Sequence, residues 1–270
     1  MLIPGLVSIS FRQLSVDEIV ALVKKANLES IEWGGDIHVP PGNIEAARDT
    51  RKRTEEAGLS TAAYGSYYRV GKSESDQVPF TRVLESASKL NAPTIRVWAG
   101  VAGSKQTDDI TRQHIVTETR RIADMAAAAG ITISFEFHGN TLTDTNESCL
   151  QLLQEVDHPN VLSLWQPAIG ASHREALDGL RTLLPKLTNI HVFSWAPNSN
   201  DRLALADGAD RWHEYLETVR STGRDHHALM EFVRDDSPEI FLEDAAVFRN
   251  WIAKPEGDLR KECDHPSMQE

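Results

Sequence analysis

Four polar side chains stand inside or directly after short apolar segments in the second half of the chain. They are Glu136, Gln166, His191 and Glu231. Burying an isolated carboxylate is costly, so each of the two glutamates requires a cation or a dense set of hydrogen bonds. One divalent ion would satisfy all four side chains. A set of two carboxylates, an imidazole and an amide oxygen favours Mn²⁺ or Mg²⁺, with Co²⁺ and Zn²⁺ as further candidates.

A second interpretation gives these residues separate structural roles. A glutamate that points into a packed interior can pair with an arginine or a lysine, and a histidine on a strand is often satisfied by neighbouring core groups. The metal hypothesis is favoured because the four residues come from four consecutive segments with the same pattern. It requires a fold that brings the ends of those segments together.

The chain alternates short apolar segments rich in β-forming residues with longer segments of helical periodicity. This is the pattern of repeated strand and helix units with parallel strands. Eight strands are predicted, over residues 6–10, 30–33, 61–64, 94–98, 132–137, 161–165, 189–193 and 228–232. The sequence therefore predicts an α/β protein of the (β/α)8 TIM barrel class, with the active site at the carboxyl ends of the strands.

Local signals mark the first and last helices and argue against the main alternative fold. Ser15 and Glu18 form a capping box for the first helix, and Pro238 is suited to the first turn of the last helix. An open doubly wound sheet also alternates strands and helices. Its glycine-rich phosphate loop needs a third glycine, which does not follow the pair at residues 34–35.

Length, charge and cysteine content bound the organisation and the partners. We expect one barrel domain over residues 1–254, followed by a polar tail over 255–270. The net charge is −12 and no long run of Lys and Arg is present, so nucleic acid is not an expected partner. Cys149 and Cys263 do not indicate a disulfide framework, which favours a cytoplasmic location. No segment reaches the roughly 18 apolar residues of a membrane span, so no membrane association is expected.

Over residues 6–252 the chain resembles the xylose isomerase-like barrels, a family of sugar isomerases, ketose 3-epimerases, an inosose dehydratase and an abasic-site endonuclease. In the epimerase branch, Glu, Asp, His and Glu at the ends of strands five to eight hold the metal. Glu136, His191 and Glu231 match three of these positions, and Gln166 stands where aspartate is usual. An amide oxygen still binds a hard cation, but the site has one negative charge fewer and is expected to hold metal more weakly.

Two further regions refine the resemblance. The second predicted strand is similar to the family's strand-two signature, which implies that Glu32 and His38 reach the mouth of the barrel and the substrate. The endonuclease branch adds a histidine three residues after the strand-six acid and an Asp-x-His pair after strand seven. Ile169 stands at the first of these positions, and Ser194 and Trp195 follow strand seven, so a three-metal nuclease is not expected.

The resemblance implies a metal-dependent ketose isomerase or epimerase that acts on a small carbohydrate. Proton abstraction would occur next to a metal-bound carbonyl, with Glu136 and Glu231 as the paired acid and base. His138, His38 and Arg234 are expected to contact substrate hydroxyl groups. Three tryptophans near strand ends are expected either to stack on the sugar or to pack within the barrel and its loops: Trp33, Trp98 and Trp195.

Two other functions fit the same residues. A dehydratase or lyase acting on a keto-sugar or keto-glycoside would use the same metal and glutamates, because β-elimination also begins with loss of a proton next to a carbonyl. A barrel that binds a sugar without turnover, or serves as a subunit of a larger assembly, is the non-enzymatic alternative. The sequence leaves the identity of the sugar, the native metal and the formation of a homo-oligomer open.

Overall fold

The computed structural model describes residues 1–196 and 198–253, and in this part of the chain eight parallel strands close into a barrel. Each strand pairs with the next along the chain, and the first pairs with the last to complete the ring. The strands are β1 (Leu2–Val7), β2 (Ser30–Gly34), β3 (Ser60–Arg69), β4 (Thr94–Trp98), β5 (Thr132–Phe135), β6 (Val161–Trp165), β7 (Leu187–Val192) and β8 (His226–Met230). The predicted (β/α)8 TIM barrel is confirmed.

One α-helix follows each strand and packs on the outside of the barrel. The helices are α1 (Val16–Lys25), α2 (Ile44–Glu56), α3 (Phe80–Leu90), α4 (Asp109–Ala128), α5 (Asn146–Val156), α6 (His173–Leu183), α7 (Ala209–Arg220) and α8 (Pro238–Ile252). The capping box predicted for α1 is present, because Ser15 and Glu18 each accept a hydrogen bond from the other's backbone N–H. Helix α8 begins at Pro238, as the sequence predicts.

The first strand begins earlier than the sequence predicts. The predicted bounds, residues 6–10, are wrong, since β1 spans Leu2–Val7 and a 3₁₀ turn follows at Ser8–Phe11. The sequence pattern does not indicate a strand at Pro4 and Gly5, because both residue types are poor strand formers. Parallel pairing with β8 holds this segment in the barrel in spite of its composition.

Side chains alternate between the two faces of each strand, and in this barrel the inner face carries charged residues. The large apolar core lies between the strands and the helices, whereas a second apolar cluster, from β1, β3 and β8 and the turn after β1, is small: Val7, Ile9, Ala62 and Leu229. In β2, Trp33 points outward to α2, where its Nε1 donates a hydrogen bond to Thr54 Oγ1 at 3.2 Å. Its neighbour Glu32 therefore points into the barrel.

Two sequence-based expectations, the polar tail and the single domain, include residues outside the described part of the chain. The polar tail at 255–270, with Cys263, lies outside the described residues. The single domain over 1–254 stays a prediction. Within the described residues, every helix is too short or too polar to cross a membrane.

Candidate active site

The four residues predicted as metal ligands lie at one end of the barrel. Glu136, Gln166 and Glu231 each directly follow a strand, and His191 is the second-to-last residue of β7. Because all strands are parallel, their carboxyl ends share one side of the barrel, and the four side chains meet there. All four are buried, with no more than 7% of any residue exposed.

The donor atoms of this group converge. One atom from each of Glu136, His191 and Glu231 lies within 4.8 Å of the others. His191 Nδ1 is 3.1 Å from Gln166 Oε1 and 3.4 Å from Glu231 Oε2. Gln166 Nε2 donates to the carbonyl of Phe137 at 2.8 Å, and this hydrogen bond keeps the amide oxygen turned toward His191.

The charge of the group also fits a divalent cation. Among the described residues, the carboxylates of Glu32 and Glu136 pair with the guanidinium of Arg96, and that of Glu231 lies beside the imidazole of His191. Even when His191 is protonated, three negative charges face two positive ones. Two carboxylate oxygens, an amide oxygen and an imidazole nitrogen are suitable ligands for Mn²⁺ or Mg²⁺, so the residues present fit such an ion.

Arg96 is a central member of the site that the sequence analysis missed. It lies in β4 with 2% of its surface exposed, and its Nε donates to Glu32 Oε1 at 2.6 Å. Its Nη1 donates to Glu136 Oε2. Burial opposes the charged form, but the neighbouring carboxylates of Glu136 and Glu32 raise the pKa of Arg96 well above its usual value. The alternation of strand residues could have identified Arg96. Its neighbours Ile95 and Val97 are apolar and face the helices, so the arginine between them points into the barrel.

Glu32 and His191 form a second buried pair beneath the convergent donor atoms. Glu32 Oε2 is 3.2 Å from His191 Nε2, and both residues are fully buried. Burial alone would raise the pKa of Glu32, yet Arg96 and His191 lower it to about 2. Burial would also lower the pKa of His191, but Glu231 and Glu32 raise it to about 10. Glu32 is therefore held ionised.

Glu136, Gln166 and Glu231 line a cavity of about 540 Å³ that opens at the carboxyl ends of the strands. Much of its remaining wall is aromatic, from Tyr67, Trp98, Phe137, Phe193, Trp195 and Phe232. The Trp98 indole Nε1 donates to Glu136 Oε2, the same oxygen that Arg96 contacts. Trp195 stacks on Phe193, with ring centroids 3.6 Å apart. The cavity can therefore present flat apolar faces to a small ring beside a polar group of ligands.

His138 lies on this wall with a defined orientation. Its ring stacks on Trp98, with centroids 4.9 Å apart, and its Nδ1 is 2.6 Å from the carbonyl oxygen of Gly139. A carbonyl oxygen only accepts hydrogen bonds, so Nδ1 carries the proton in the neutral ring. Nε2 is then left with its lone pair and can exchange a proton with a ligand in the cavity.

The residues predicted to contact substrate divide into two groups. Trp98, His138 and Trp195 line the cavity, whereas Glu32, Trp33, His38 and Arg234 do not. Trp33 packs against α2, as described above. His38 is 7% exposed, and its two ring nitrogens are bonded to Ser8 Oγ and the Leu14 carbonyl, each at 3.0 Å.

Arg234 and Glu32 lie away from the cavity for different reasons. Arg234 lies in the 3₁₀ turn before α8 and directs its Nε toward Asp235, at 3.9 Å. Glu32 faces inward but lies below the ligand group, where Arg96 and His191 use its oxygens. The resemblance of the strand-two segment therefore drew attention to Glu32, which lies behind the ligand group and not in the cavity wall.

Sequence reasoning also missed the residues that form the opposite wall of the cavity. Tyr67 belongs to an irregular part of β3, where the pairing with β4 shifts between Gly65 and Tyr68, and its φ is 58°. Its hydroxyl accepts a hydrogen bond from Arg12 Nη2 at 2.7 Å, and its ring covers the Arg96 guanidinium at 5.4 Å. A strand irregularity of this kind leaves no periodic signal in the sequence.

Comparison with known proteins agrees with the barrel fold. The model of the xylose isomerase-like TIM barrel family matches residues 20–251. A 3-dehydroshikimate dehydratase of Bacillus anthracis is 26% identical over 282 residues, which cover 91% of this chain and 96% of that protein.

Solved structures show the same fold. The crystal structure of the probable 3-dehydroshikimate dehydratase of petrobactin synthesis from Bacillus anthracis has a TM-score of 0.76 at 24% identity, covering 93% of this chain and 99% of that one. D-Psicose 3-epimerase from Clostridium cellulolyticum, solved with D-tagatose, has a TM-score of 0.72 at 15% identity, covering 93% and 99%. With the family match spanning most of the barrel, the chain belongs to the xylose isomerase-like TIM barrel family.

Proposed function

We propose that this protein is a metal-dependent dehydratase that removes a proton next to the carbonyl of a small polyhydroxylated ketone and then eliminates water. The observation that carries the proposal is the convergence of Glu136, His191 and Glu231, with donor atoms within 4.8 Å of one another beside the cavity. Glu136, Gln166, His191 and Glu231 would hold the ion. When bound, a divalent cation supplies Lewis-acid polarisation of the substrate carbonyl.

Glu231 is the proposed base. Its carboxylate lines the cavity, and its Oε2 lies 3.4 Å from His191 Nδ1. Glu136 is less suited to this role, because its Oε2 already accepts hydrogen bonds from Arg96 and Trp98. Of the two glutamates, Glu231 is therefore the one whose carboxylate is available to take a proton from carbon.

His138 is the proposed acid. After Glu231 has taken the proton from the carbon next to the carbonyl, the bond from the neighbouring carbon to its hydroxyl oxygen breaks. A proton from Nε2 of protonated His138 joins the departing hydroxyl, which leaves as water. The substrate loses one water in total, and the proton on Glu231 returns to His138 through solvent.

The sequence relative supports elimination and suggests the first substrate to test. It is a 3-dehydroshikimate dehydratase, and this chain covers nearly all of its length. Isomerisation or epimerisation is the second candidate, since it shares the first proton transfer. The closeness of the two carboxylates, Glu136 and Glu231, favours it, because a pair of acids can serve as donor and acceptor on two sides of one carbon.

The test is product analysis with the Mn²⁺-loaded protein. We expect 3-dehydroshikimate to give a dihydroxybenzoate that is one water lighter, identified by mass spectrometry and by its aromatic absorbance. A product of unchanged mass from a panel of ketoses would support the epimerase instead. Wild-type protein that binds no divalent ion, and exchanges no substrate proton with deuterated water, would overturn both and favour a barrel that binds sugar without turnover.

A further inference from the structure

Glu32 lies directly behind one of the proposed metal ligands. It is fully buried in β2 and does not line the cavity, so it does not contact a substrate there. Its two oxygens go to different partners: Oε2 is 3.2 Å from His191 Nε2, and Oε1 accepts from Arg96 Nε at 2.6 Å. The carboxylate therefore bridges an imidazole and a guanidinium inside the barrel.

Both nitrogens of His191 face oxygens that accept hydrogen bonds, but only Nδ1 faces the proposed ligand group. Nδ1 faces Gln166 Oε1 at 3.1 Å and Glu231 Oε2 at 3.4 Å, and Nε2 faces Glu32. An ionised carboxylate only accepts hydrogen bonds, so Glu32 keeps a proton on Nε2, and a divalent cation in the ligand group would take the place of the proton on Nδ1. The Nδ1 lone pair would then point to a cation held between Nδ1 and the carboxylates of Glu136 and Glu231, which converge with His191.

We propose that Glu32 is a positioning residue that fixes the tautomer and ring orientation of His191, so that Nδ1 is ready to bind a divalent cation. This role rests on the proposed metal site. A carboxylate behind a metal-binding histidine raises the basicity of the ligand and restricts rotation of its ring. Arg96 completes the arrangement, because it holds Glu32 in place and contacts Glu136 with the same guanidinium.

Gly65 provides the space for this arrangement. A β-carbon at position 65 would lie 2.5 Å from Arg96 Nη2 and 2.8 Å from Glu32 Oε1, closer than such contacts occur in proteins. A larger residue in β3 would therefore displace the pair that supports His191. Glycine at this position is explained by the close approach of the two side chains.

The test compares Glu32→Gln with a matched control, Ser134→Ala. Glutamine keeps the size of the side chain but offers one acceptor oxygen to two donors. The control removes a different hydrogen bond of the barrel, between the hydroxyl groups of Ser134 and Thr188, whose oxygens are 2.6 Å apart. We expect Glu32→Gln to weaken Mn²⁺ binding by about 10- to 100-fold, measured by electron paramagnetic resonance of the free ion, and Ser134→Ala to change it by less than about twofold.

The visible spectrum of bound Co²⁺ should also shift in Glu32→Gln, because the ligand field changes with the orientation of the imidazole.

A measurement on the wild-type protein covers the case in which Glu32→Gln does not fold. In the Zn²⁺-loaded protein labelled with ¹⁵N-histidine, nuclear magnetic resonance should detect a proton on Nε2 of His191 and none on Nδ1. A proton on Nδ1, or equal Mn²⁺ affinity in wild type and Glu32→Gln, would overturn the positioning role and leave the proposed reaction standing. If the wild type binds no divalent ion, both proposals are wrong. Failure to dehydrate any substrate, with these metal-binding results as expected, would overturn only the reaction.

Discussion

Arg96 donates a hydrogen bond from Nη1 to Oε2 of Glu136, so a buried cation holds one of the carboxylates assigned to metal binding. The same guanidinium donates from Nε to Glu32 in β2. Arg96 thus carries much of the compensation for the negative charge of the site. This has measurable consequences for stability as well as for metal binding.

Replacement of Arg96 by glutamine should lower the free energy of unfolding by about 3–5 kcal/mol, because it leaves two buried carboxylates without their cation. Urea unfolding of the metal-free protein measures this loss. Added Mn²⁺ should recover more stability in Arg96→Gln than in wild type, since the ion replaces part of the missing positive charge. Arg96→Lys keeps the charge and should lose less. Equal stability of Arg96→Gln and wild type would contradict the role of Arg96 as the main compensating charge.

Gln166 is the uncharged oxygen donor of the proposed ligand group, and its Oε1 faces His191 Nδ1 at 3.1 Å. Gln166→Asp adds a negative charge to the ligand group, so Mn²⁺ affinity should rise by about tenfold or more. The metal-free variant should be less stable than wild type, because a fourth carboxylate joins the buried group. Isothermal titration calorimetry measures the affinity, with Gln166→Asn as a neutral control. If the affinity of Gln166→Asp equals that of wild type, residue 166 does not contact the ion.

The sequence could predict the barrel and the identity of the residues that converge, for a physical reason. Eight repeats of strand and helix leave few alternatives to a closed barrel, and Glu136 and Glu231 are conspicuous because a carboxylate rarely stands in an apolar segment without a function or a partner. The parallel strands then bring their ends together. None of this requires knowledge of which side chains touch.

The partners inside the barrel could not be predicted in this way. Glu32 and Arg96 are 64 positions apart, and their contact depends on strand register, which periodicity does not determine. The position of Trp33 near a strand end leaves both stacking on a sugar and packing open, although neighbouring strand residues point to opposite faces. Applying that alternation to β2 would have separated Trp33 from Glu32, and applying it to β4 would have found Arg96.

His227 should make stability depend on pH below neutrality. It lies near the start of β8, with Nδ1 2.9 Å from Ser30 Oγ. Burial lowers the pKa of His227 to about 4, from 6.5. Between these values the unfolded chain binds more protons than the folded one, so this contribution is fully present above about pH 6.5 and is lost as the pH falls toward 4.

The expected loss from His227 is about 2 kcal/mol between roughly pH 7 and pH 4.5. Urea unfolding across this range, in wild type and in His227→Gln, isolates the contribution, because all other titrating groups are common to both proteins. The free energy of unfolding of wild type should fall more steeply than that of the variant. Parallel curves would mean that His227 is protonated in the folded barrel without cost.

The two proposed proton-transfer residues should be separable by isotope exchange. Glu231→Gln removes the base, so both dehydration and exchange of the substrate proton with deuterated water should fall by about 100-fold or more. His138→Gln removes the acid, so dehydration should fall by a similar factor while exchange continues, because proton abstraction comes first. Mass spectrometry of recovered substrate measures the exchange at saturating Mn²⁺, because Glu231→Gln also alters a proposed metal ligand, and circular dichroism confirms that each variant folds. Retained exchange in Glu231→Gln, together with its loss in His138→Gln, would reverse the assignment and make the imidazole stacked on Trp98 the base.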